Sequence, residues 1–381
     1  MEIKDAGKAL LEAADRFNLA GDFAEAEKLY DQLLTQNHDQ PWLLATLGTL
    51  YIRTQRYGLA ITLLQYAASK IKESEVLTNL AIAYKYSGQY DKAMHWFNEA
   101  IKYNPNAETY STYAGMHVNV GTPEIAVETA NKALKKDPQH AMAHWNKAMA
   151  LLELGKWETA WEEHEWGFDA KMRVRRNIKD KPYWDGASGK KIVVYGEQGL
   201  GDEIMFASML PDLMVENEVI LECHPRLKTL FEKSFPGLTC YGTRDKEKIT
   251  WPEDHEFDSV VSIGSLGKWY RRERSEFPGI PYLKAEALPR GNKFRIGISW
   301  TGGMKQGRVR TRSIPLSWWK PILNVANVEF VSLQYTDSDA DIHAVNAEGY
   351  DIAKRQEAKA SDYYETAQLV KSCDLVISCC T

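Results

Sequence analysis

The sequence has few cysteines and no long apolar run, and these two gaps exclude several classes of protein. Its 381 residues include five cysteines, an odd number scattered along the chain, which indicates reduced thiols rather than a disulfide framework. No run of 18 apolar residues is present, so no membrane span is expected. The charged, amphipathic N-terminus lacks the apolar segment of a signal peptide. We therefore expect a cytoplasmic protein.

The chain also lacks an excess of positive charge and any metal-ligand spacing. Its formal net charge is −5, so no basic field is available and no nucleic-acid partner is expected. The cysteines form no CxxC pair and have no histidine at ligand spacing, so the sequence predicts neither a metal nor another cofactor. With 44% hydrophobic residues, the chain is long enough for two or three globular domains.

What the sequence does contain, over residues 1–168, is an internal repeat of 33 or 34 residues. Each unit has a turn, usually with glycine, then a small residue, then packing positions four and seven residues later. The small residues are Ala26, Ala60, Ala93, Ala126 and Ala160, followed by Tyr30, Leu64, Phe97, Ala130 and His164, and then by Leu33, Ala67, Ala100, Ala133 and Gly167. A small residue lets two antiparallel helices approach closely, and glycine ends the first helix. The pattern resembles the tetratricopeptide repeat family, which implies a solenoid of helical hairpins.

Such a solenoid offers a groove for a protein or glycan partner. The side chains that could face this groove are Tyr51, Tyr84, Tyr110, Tyr113, His117 and Asn119. Aromatic residues on helices more often pack between helices, so both roles stay open.

A charged connector, predicted as a linker over residues 169–189, follows the repeats. Its basic cluster comprises Lys171, Arg173, Arg175 and Arg176. We interpret the cluster as a solvated linker face, with an anion-binding patch as the alternative.

Beyond the linker, β-branched runs alternate with helical patterns. The first cycle predicts strands at 191–195 and 219–223 and helices at 203–214 and 225–235. A second cycle predicts strands at 294–300, 328–335 and 374–380 and helices at 315–324 and 361–373. The alternation predicts two Rossmann-like lobes, residues 190–288 and 289–381, with mostly parallel sheets and ligands at the carboxyl ends of the strands. The fold class is therefore a helical solenoid followed by α/β lobes.

A glycine-rich turn, GEQGLGD at 196–202, follows the first of these strands. Backbone N–H groups around Gln198, Gly199 and Gly201 could bind an anion or a polar substrate. Asp202 could instead cap the helix that starts there. A dinucleotide site is less favoured, because the spacing is G-x-x-G-x-G, although Glu222 lies where a ribose-binding acid would.

The run VVYGEQGLGDEIMFASMLPDL resembles the opening of the heptosyltransferase family (glycosyltransferase family nine), through Leu200, Gly201, Asp202 and Pro211. A second cluster, formed by IGISWTGG, RTRSIPL, FVSLQ and DLVIS, resembles the family's other lobe. The resemblance covers roughly residues 184–381. It implies a GT-B fold, in which two lobes clasp a nucleotide-sugar.

The resemblance also implies roles for individual residues. Asp202 matches the aspartate that acts as general base on the acceptor hydroxyl. No metal is required, because the donor diphosphate can be held by backbone N–H groups and basic side chains. The residues that would do this are Thr301, Gly302, Gly303, Lys305 and Arg312, with Ser313 and Gln334 reaching the same pocket and Arg308 and Arg310 as weaker choices. Trp300 is expected to pack at the strand end rather than to stack on a base.

Two departures from the family bear on catalysis. The sequence ends at Thr381, where the family continues, and Cys380 stands where the family has an aspartate. The sequence therefore supports two functions. One is a metal-independent glycosyltransferase that uses a nucleotide-sugar and a polysaccharide, lipid-linked glycan or protein acceptor. The other is a non-catalytic, protein-binding repeat scaffold with a truncated or degenerate glycosyltransferase domain.

Overall fold

The computed structural model describes residues 5–36, 40–244, 249–302, 312–334, 337–354 and 361–379. Contacts within the chain divide it into two compact units, residues 1–172 and 173–381. The division falls inside the segment predicted as a linker. Each unit is described in turn.

The described part of the first unit consists of α-helices arranged as consecutive antiparallel hairpins. The helices are α1 (Asp5–Ala20), α2 (Phe23–Gln36), α3 (Pro41–Arg53), α4 (Tyr57–Lys70), α5 (Ser74–Tyr86), α6 (Tyr90–Tyr103), α7 (Ala107–Asn119), α8 (Pro123–Lys136), α9 (Ala141–Glu153) and α10 (Trp157–His164). A 3₁₀ turn, Glu165–Gly167, follows α10.

The repeat positions predicted from the sequence form the core between the helices. All five alanines of the repeat are fully buried, as are the first packing residues Tyr30, Leu64 and Phe97. His164, in the last hairpin, is 2% exposed. The small residues let the paired helices approach closely, as expected for helix packing without intervening side chains. The prediction of stacked helical hairpins is confirmed.

The turns between paired helices share one backbone geometry. In each hairpin the N–H of a residue in the turn donates to a carbonyl five residues earlier, for example from Arg56 to Tyr51 at 2.8 Å and from Gln89 to Tyr84 at 2.9 Å. This Schellman-type bond needs a left-handed residue in the turn. Glycine supplies it in four turns, and in the second hairpin Gln55 takes the same conformation with φ 61°. The repeat therefore keeps its turn where it lacks the glycine.

The second unit contains two four-stranded parallel sheets. The first has the order β3-β2-β1-β4. Its strands are β1 (Lys191–Tyr195), β2 (Glu218–Glu222), β3 (Thr239–Tyr241) and β4 (Ser259–Ser262), and its helices are α11 (Leu200–Phe206), α12 (Leu210–Leu213), α13 (Lys228–Ser234) and α14 (Gly267–Tyr270). We call residues 173–288 the first lobe.

The second sheet repeats this order as β7-β6-β5-β8. Its strands are β5 (Phe294–Ser299), β6 (Val328–Ser332), β7 (Ile352–Ala353) and β8 (Leu375–Ser378), and its described helices include α15 (Lys320–Leu323), α16 (Asp339–Asn346) and α17 (Tyr363–Lys371). We call residues 289–381 the second lobe. The parallel α/β architecture agrees with the sequence, while the GT-B arrangement of the lobes stays a prediction.

Some predicted elements are shorter in the structure. The helix predicted at 203–214 is interrupted by a 3₁₀ turn, Ala207–Met209, before Pro211, whose nitrogen carries no hydrogen to donate. The helix predicted at 315–324 begins as a 3₁₀ turn, Leu316–Trp319, with a second proline at position 321. Proline thus limits both helices to short pieces.

Candidate functional site

The first helices of successive hairpins pack against one another, which creates one continuous helical face. Helix α3 contacts α5, α5 contacts α7, and α7 contacts α9. The side-chain amide of Asn79 donates to Thr49 Oγ1 across one of these contacts at 3.1 Å, and that of Asn146 donates to the Ser111 carbonyl across another at 3.0 Å. We call these four helices the inner row. Curvature of a solenoid makes such a row an extended binding surface.

Residues spaced three, four and three apart share one face of each helix in the inner row. The four sets are Trp42, Ala45, Thr49 and Ile52; Glu75, Thr78, Ile82 and Lys85; Glu108, Ser111, Gly115 and Val118; and Met142, Trp145, Met149 and Leu152. Thr49 and Ser111, which accept the bonds between helices, belong to these sets. The aliphatic members at the ends of the sets are half-buried, so the face is largely apolar.

Lys85 is the basic residue in these sets, and its surroundings are unusual for a lysine. Its side chain is half-buried, and its Nζ lies 5.3 Å from the ring centroid of Tyr86. Among the residues that the structure describes, no carboxylate forms an ion pair with it. Burial lowers the pKa of Lys85 to about 8. A desolvated cation with no acidic partner costs free energy in the unbound protein.

The aromatic residues predicted as groove candidates mostly pack inside the repeats. Tyr84 and His117 are buried, and the Tyr113 ring stacks on Phe97 with centroids 4.9 Å apart. The Tyr51 hydroxyl donates to Glu27 Oε1 at 3.0 Å. Packing is therefore the role that the structure shows for these four residues.

The other two groove candidates, Tyr110 and Asn119, lie on α7, where Tyr110 is half-buried and Asn119 is exposed. The sequence alone does not single out Lys85, because a lysine at a helix end is ordinarily solvated. Its place on the same face as Ile82, three residues earlier, was the available signal.

In the second unit, the carboxyl end of the first sheet is closed by charged side chains. The side chain of Arg173 is fully buried against Glu197, which follows β1 and is 2% exposed. Arg173 Nε and Nη2 lie 2.9 and 2.8 Å from Glu197 Oε1. Arg173 Nη2 also donates to Ser262 Oγ at 3.1 Å and to Ser265 Oγ at 2.7 Å. The interpretation of this arginine as part of a solvated linker face is wrong, because the sheet end offers it a buried carboxylate.

Two further arginine–glutamate pairs lie at the same sheet end. Arg176 pairs with the fully buried carboxylate of Glu222, which also accepts from Thr243 Oγ1 at 2.9 Å. Glu222, considered above as a ribose-binding acid, is thus occupied by the chain's own side chains.

The third pair joins Arg244 to the fully buried carboxylate of Glu203 in α11. The His224 N–H donates to Glu203 Oε2 at 3.0 Å. A side chain on Gly196 would overlap this carboxylate, so glycine is required there. The sequence shows Glu197 and Glu203 at the glycine-rich turn but gives no sign of their partners Arg173 and Arg244, which are 24 and 41 residues away along the chain.

Within the glycine-rich turn, Asp202 serves as a cap. Its Oδ2 accepts the N–H of Gly199, the residue that precedes α11, at 2.8 Å. Gln198, Gly199 and Gly201 are exposed, and Gln198 has φ 61°. Asp202 therefore has the capping role in the structure, whereas its role as a general base stays a prediction.

At the second sheet, the predicted donor-site residues come together through Gln334. Its Oε1 accepts from the N–H groups of Trp300 and Thr301 and from Ser299 Oγ, each at 3.1 Å. Its Nε2 donates to the Thr301 carbonyl at 3.0 Å, and Ser313 Oγ accepts the N–H of Gly302 at 3.2 Å. The backbone donors that a diphosphate would need are already bonded within the protein.

The remaining predicted residues of this site divide into two groups. Arg312 is exposed, and Trp300 is 1% exposed in the core of the second lobe, as expected for a packing residue. Gly303, Lys305, Arg308 and Arg310 lie outside the described residues. Across the described ranges, no cluster of three or more histidine, cysteine, aspartate or glutamate side chains could hold a metal ion. None of the described helices is long and apolar enough to cross a membrane.

Comparison with known proteins agrees with the hairpin geometry of the first unit. Models of the tetratricopeptide repeat match residues 18–70, 74–107 and 116–163. These residues are tetratricopeptide repeats.

Several proteins are similar to parts or most of the chain. Protein FlbA of Caulobacter vibrioides is 26% identical, over 99% of this chain and 77% of that protein. The repeat-containing protein YpiA of Bacillus subtilis is 24% identical, over 40% of this chain and only 37% of its own length. Among solved structures, MamA is 18% identical over 45% of this chain and 97% of that chain, with a TM-score of 0.37. A thermophilic repeat protein of Thermus thermophilus is 16% identical over 43% of this chain and 90% of that chain, with a TM-score of 0.39.

Proposed function

We propose that the chain is a protein-binding scaffold whose inner row receives an extended segment of a partner protein and whose Lys85 binds a carboxylate of that segment. Tetratricopeptide repeats occupy most of the first unit, and repeat arrays present extended surfaces to protein partners. The observation that carries the proposal is Lys85, a half-buried cation on this surface without an acidic partner among the described residues.

The chemistry of the partner follows from what surrounds this cation. An ion pair formed with a ligand at a desolvated site is worth more than one formed in water. Ile82, on the same helix face, and Ile52 and Val118, on the neighbouring helices, are half-buried and apolar. The expected partner segment therefore carries an aspartate or glutamate flanked by aliphatic side chains. The asparagine amides between the helices are engaged within the row, so specificity rests on charge and apolar fit.

A pair of lysine variants tests this proposal. Lys70, on α4, has the same 5.3 Å distance to a tyrosine ring as Lys85 but is exposed and lies outside the inner row. We expect acidic, aliphatic peptides selected from a fluorescent peptide library to bind the full chain. Lys85→Met should weaken their binding by at least tenfold. Lys70→Met should leave their affinity unchanged. Equal affinity for both variants would remove Lys85 from the proposal, and no saturable peptide binding at all would refute it.

The second candidate is transfer of a sugar from a nucleotide-sugar by the second unit, with Asp202 as general base. It is favoured by the two parallel sheets of identical strand order, each of which has a crevice where ligands of open α/β sheets bind. It is opposed by hydrogen bonds that backbone N–H groups in both crevices already make within the chain. The Gly199 N–H donates to Asp202, and the Thr301 N–H donates to Gln334.

A thermal-shift titration with ADP-, UDP-, GDP- and CDP-sugars separates the two candidates. The scaffold predicts no saturable shift with any donor. A saturating shift for one donor, together with turnover that Asp202→Asn abolishes without unfolding the chain, would establish the transferase instead.

A further inference from the structure

The first sheet has a topological switch point between β1 and β4, because β2 and β3 follow on one side of β1 while β4 lies on its other side. In open α/β sheets the crevice beyond the carboxyl ends of two such strands is where ligands bind. Here the crevice is bordered by Glu197, which follows β1, by Ser262 at the end of β4, and by Ser265.

The guanidinium group of Arg173 occupies this crevice. It contacts Glu197 Oε1 through two nitrogens and the hydroxyls of Ser262 and Ser265 through Nη2, and none of its side chain is exposed. Gly264 makes room for the pair, because a Cβ at that position would lie 2.6 Å from Glu197 Oε1 and 3.4 Å from Arg173 Nη2. The crevice is thus shaped and charged for a planar cation.

The chain segment that carries Arg173 is fixed to the same lobe at its other end. We call residues 173–184 the strap. The Val260 N–H donates to the Pro182 carbonyl at 3.0 Å and the Trp184 N–H donates to the Val260 carbonyl at 2.9 Å, so the strap's end pairs in parallel beside β4. Between its ends, Arg176 pairs with Glu222 and Ile178 is buried in the core of the sheet.

The crevice holds more acceptor capacity than Arg173 uses. Glu197 Oε2 is buried and has no hydrogen-bond partner in the described part of the chain, while both bonds from Arg173 converge on Oε1. A carboxylate can accept two parallel bonds from one guanidinium group. A guanidinium free of its side chain could therefore bind this carboxylate with both oxygens.

We propose that the crevice at the switch point of the first sheet is a guanidinium-binding site whose resident ligand is the chain's own Arg173. The first lobe then functions as the anchor of the strap, and an external ligand enters the crevice only if Arg173 leaves it. This inference is independent of the proposed peptide binding, since it concerns the second unit alone.

Chemical rescue tests the site in the full-length chain. Arg175→Ala is the matched control, because Arg175 lies in the same strap but is exposed. We expect Arg173→Ala to lower the melting temperature by roughly 5–15 °C and Arg175→Ala to change it little. Low millimolar guanidinium chloride should then raise the melting temperature of Arg173→Ala saturably, whereas sodium chloride at equal ionic strength should not, and wild type should show no such rise. A loss that guanidinium does not recover, or equal melting temperatures for the two variants, would overturn the proposal.

A second measurement keeps the proposal testable if Arg173→Ala does not fold. In the wild-type chain, the Nε–H of Arg173 should give an NMR signal that exchanges slowly with solvent, because this group is buried and bonded. Arg173→Lys keeps the charge but has no Nε–H, so one slowly exchanging arginine signal should vanish while the signals of the repeat helices stay unchanged. If no protected signal is lost, Arg173 does not occupy the crevice in solution.

Discussion

The two sheets of the second unit have the same strand order and the same parallel pairing, yet their carboxyl ends are closed by different chemistry. The first sheet ends in three buried glutamates, each paired with an arginine. The second sheet ends in backbone N–H groups that donate to one amide oxygen, of Gln334, and to one hydroxyl oxygen, of Ser313. One topology therefore supports a charged and a neutral way of satisfying the groups at a sheet end.

The two sheets also differ in where along the chain the side chains that close the sheet end come from. Gln334 lies two residues beyond β6, so the neutral closure uses a residue next to the strand it follows. The charged closure draws Arg173 and Arg176 from the strap before β1 and Arg244 from beyond β3. A buried carboxylate needs a charged partner, and these three glutamates find theirs in segments distant along the chain.

The largest expected effect comes from removing one member of a charged pair. Arg244→Met leaves the fully buried carboxylate of Glu203 without its arginine, and we expect it to cost about 3–5 kcal/mol in the free energy of unfolding. Urea denaturation of the full chain measures this cost.

A double variant sharpens the comparison. Replacing both Glu203 and Arg244 with methionine removes the pair together, so it should cost much less than Arg244→Met alone. If the single variant costs under about 1 kcal/mol, the charged closure of the first sheet is no stronger than a surface ion pair.

The neutral closure should be less sensitive. Gln334→Ala leaves the N–H groups of Trp300 and Thr301 without their acceptor, and we expect a cost of about 1–3 kcal/mol. Gln198→Ala is the matched control, because that glutamine is exposed in the corresponding loop of the first lobe. A loss for Gln334→Ala as large as that for Arg244→Met would erase the distinction between the two sheet ends.

The sequence predicted what depends on local periodicity. The repeat alanines, the strand at 191–195 and the packing role of Trp300 follow from spacing and from alternation of apolar residues, and the structure shows all three. It did not predict the burial of Arg173, because an arginine in a charged stretch looks solvated until its distant partner, Glu197, is placed beside it.

Several residues of the predicted donor site lie close together in the structure. The sequence groups Thr301, Gly302, Ser313 and Gln334 as a donor site, and in the structure Thr301 is bonded to Gln334 and Gly302 to Ser313. Asp202 was placed at a helix start, where its carboxylate bonds to Gly199. Residue proximity follows from the order of elements, whereas the availability of a hydrogen-bond donor depends on side-chain geometry that periodicity does not encode.

Lys85, a charge without a partner, gives a third case, in which removing the charged side chain should stabilise the protein. Lys85→Met should raise the free energy of unfolding at pH 7, by about 1 kcal/mol, because it removes a desolvated cation that no carboxylate compensates. Between pH 8 and 10.5 the unfolded chain holds a proton on Lys85 that the folded protein has lost, so wild-type stability gains from this group as pH rises.

The measurement for Lys85 is the difference between wild type and variant across that range. The advantage of Lys85→Met should shrink as pH rises from 8 to 10.5. Lys70→Met, which removes an exposed lysine, is the matched control. A Lys85→Met variant that is less stable than wild type at pH 7 would mean that this lysine has a compensating partner.

The smallest effect is expected at the exposed edge of the second sheet. Asp374, just before β8, accepts from Arg290 and from the Arg295 N–H at 2.8 Å, and these bonds lower its pKa below 3.8. A carboxylate with a lowered folded-state pKa stabilises the protein above the unfolded pKa, and this contribution is lost as pH falls through the folded value. Because the pair is partly exposed, Asp374→Asn should lower stability at pH 7 far less than Arg244→Met does, and the variant's stability should fall less steeply below pH 4. Asp351→Asn, at an exposed aspartate of the same lobe, is the matched control. If Asp374→Asn instead destabilises the chain as strongly as Arg244→Met, exposure does not weaken an ion pair at these sheets.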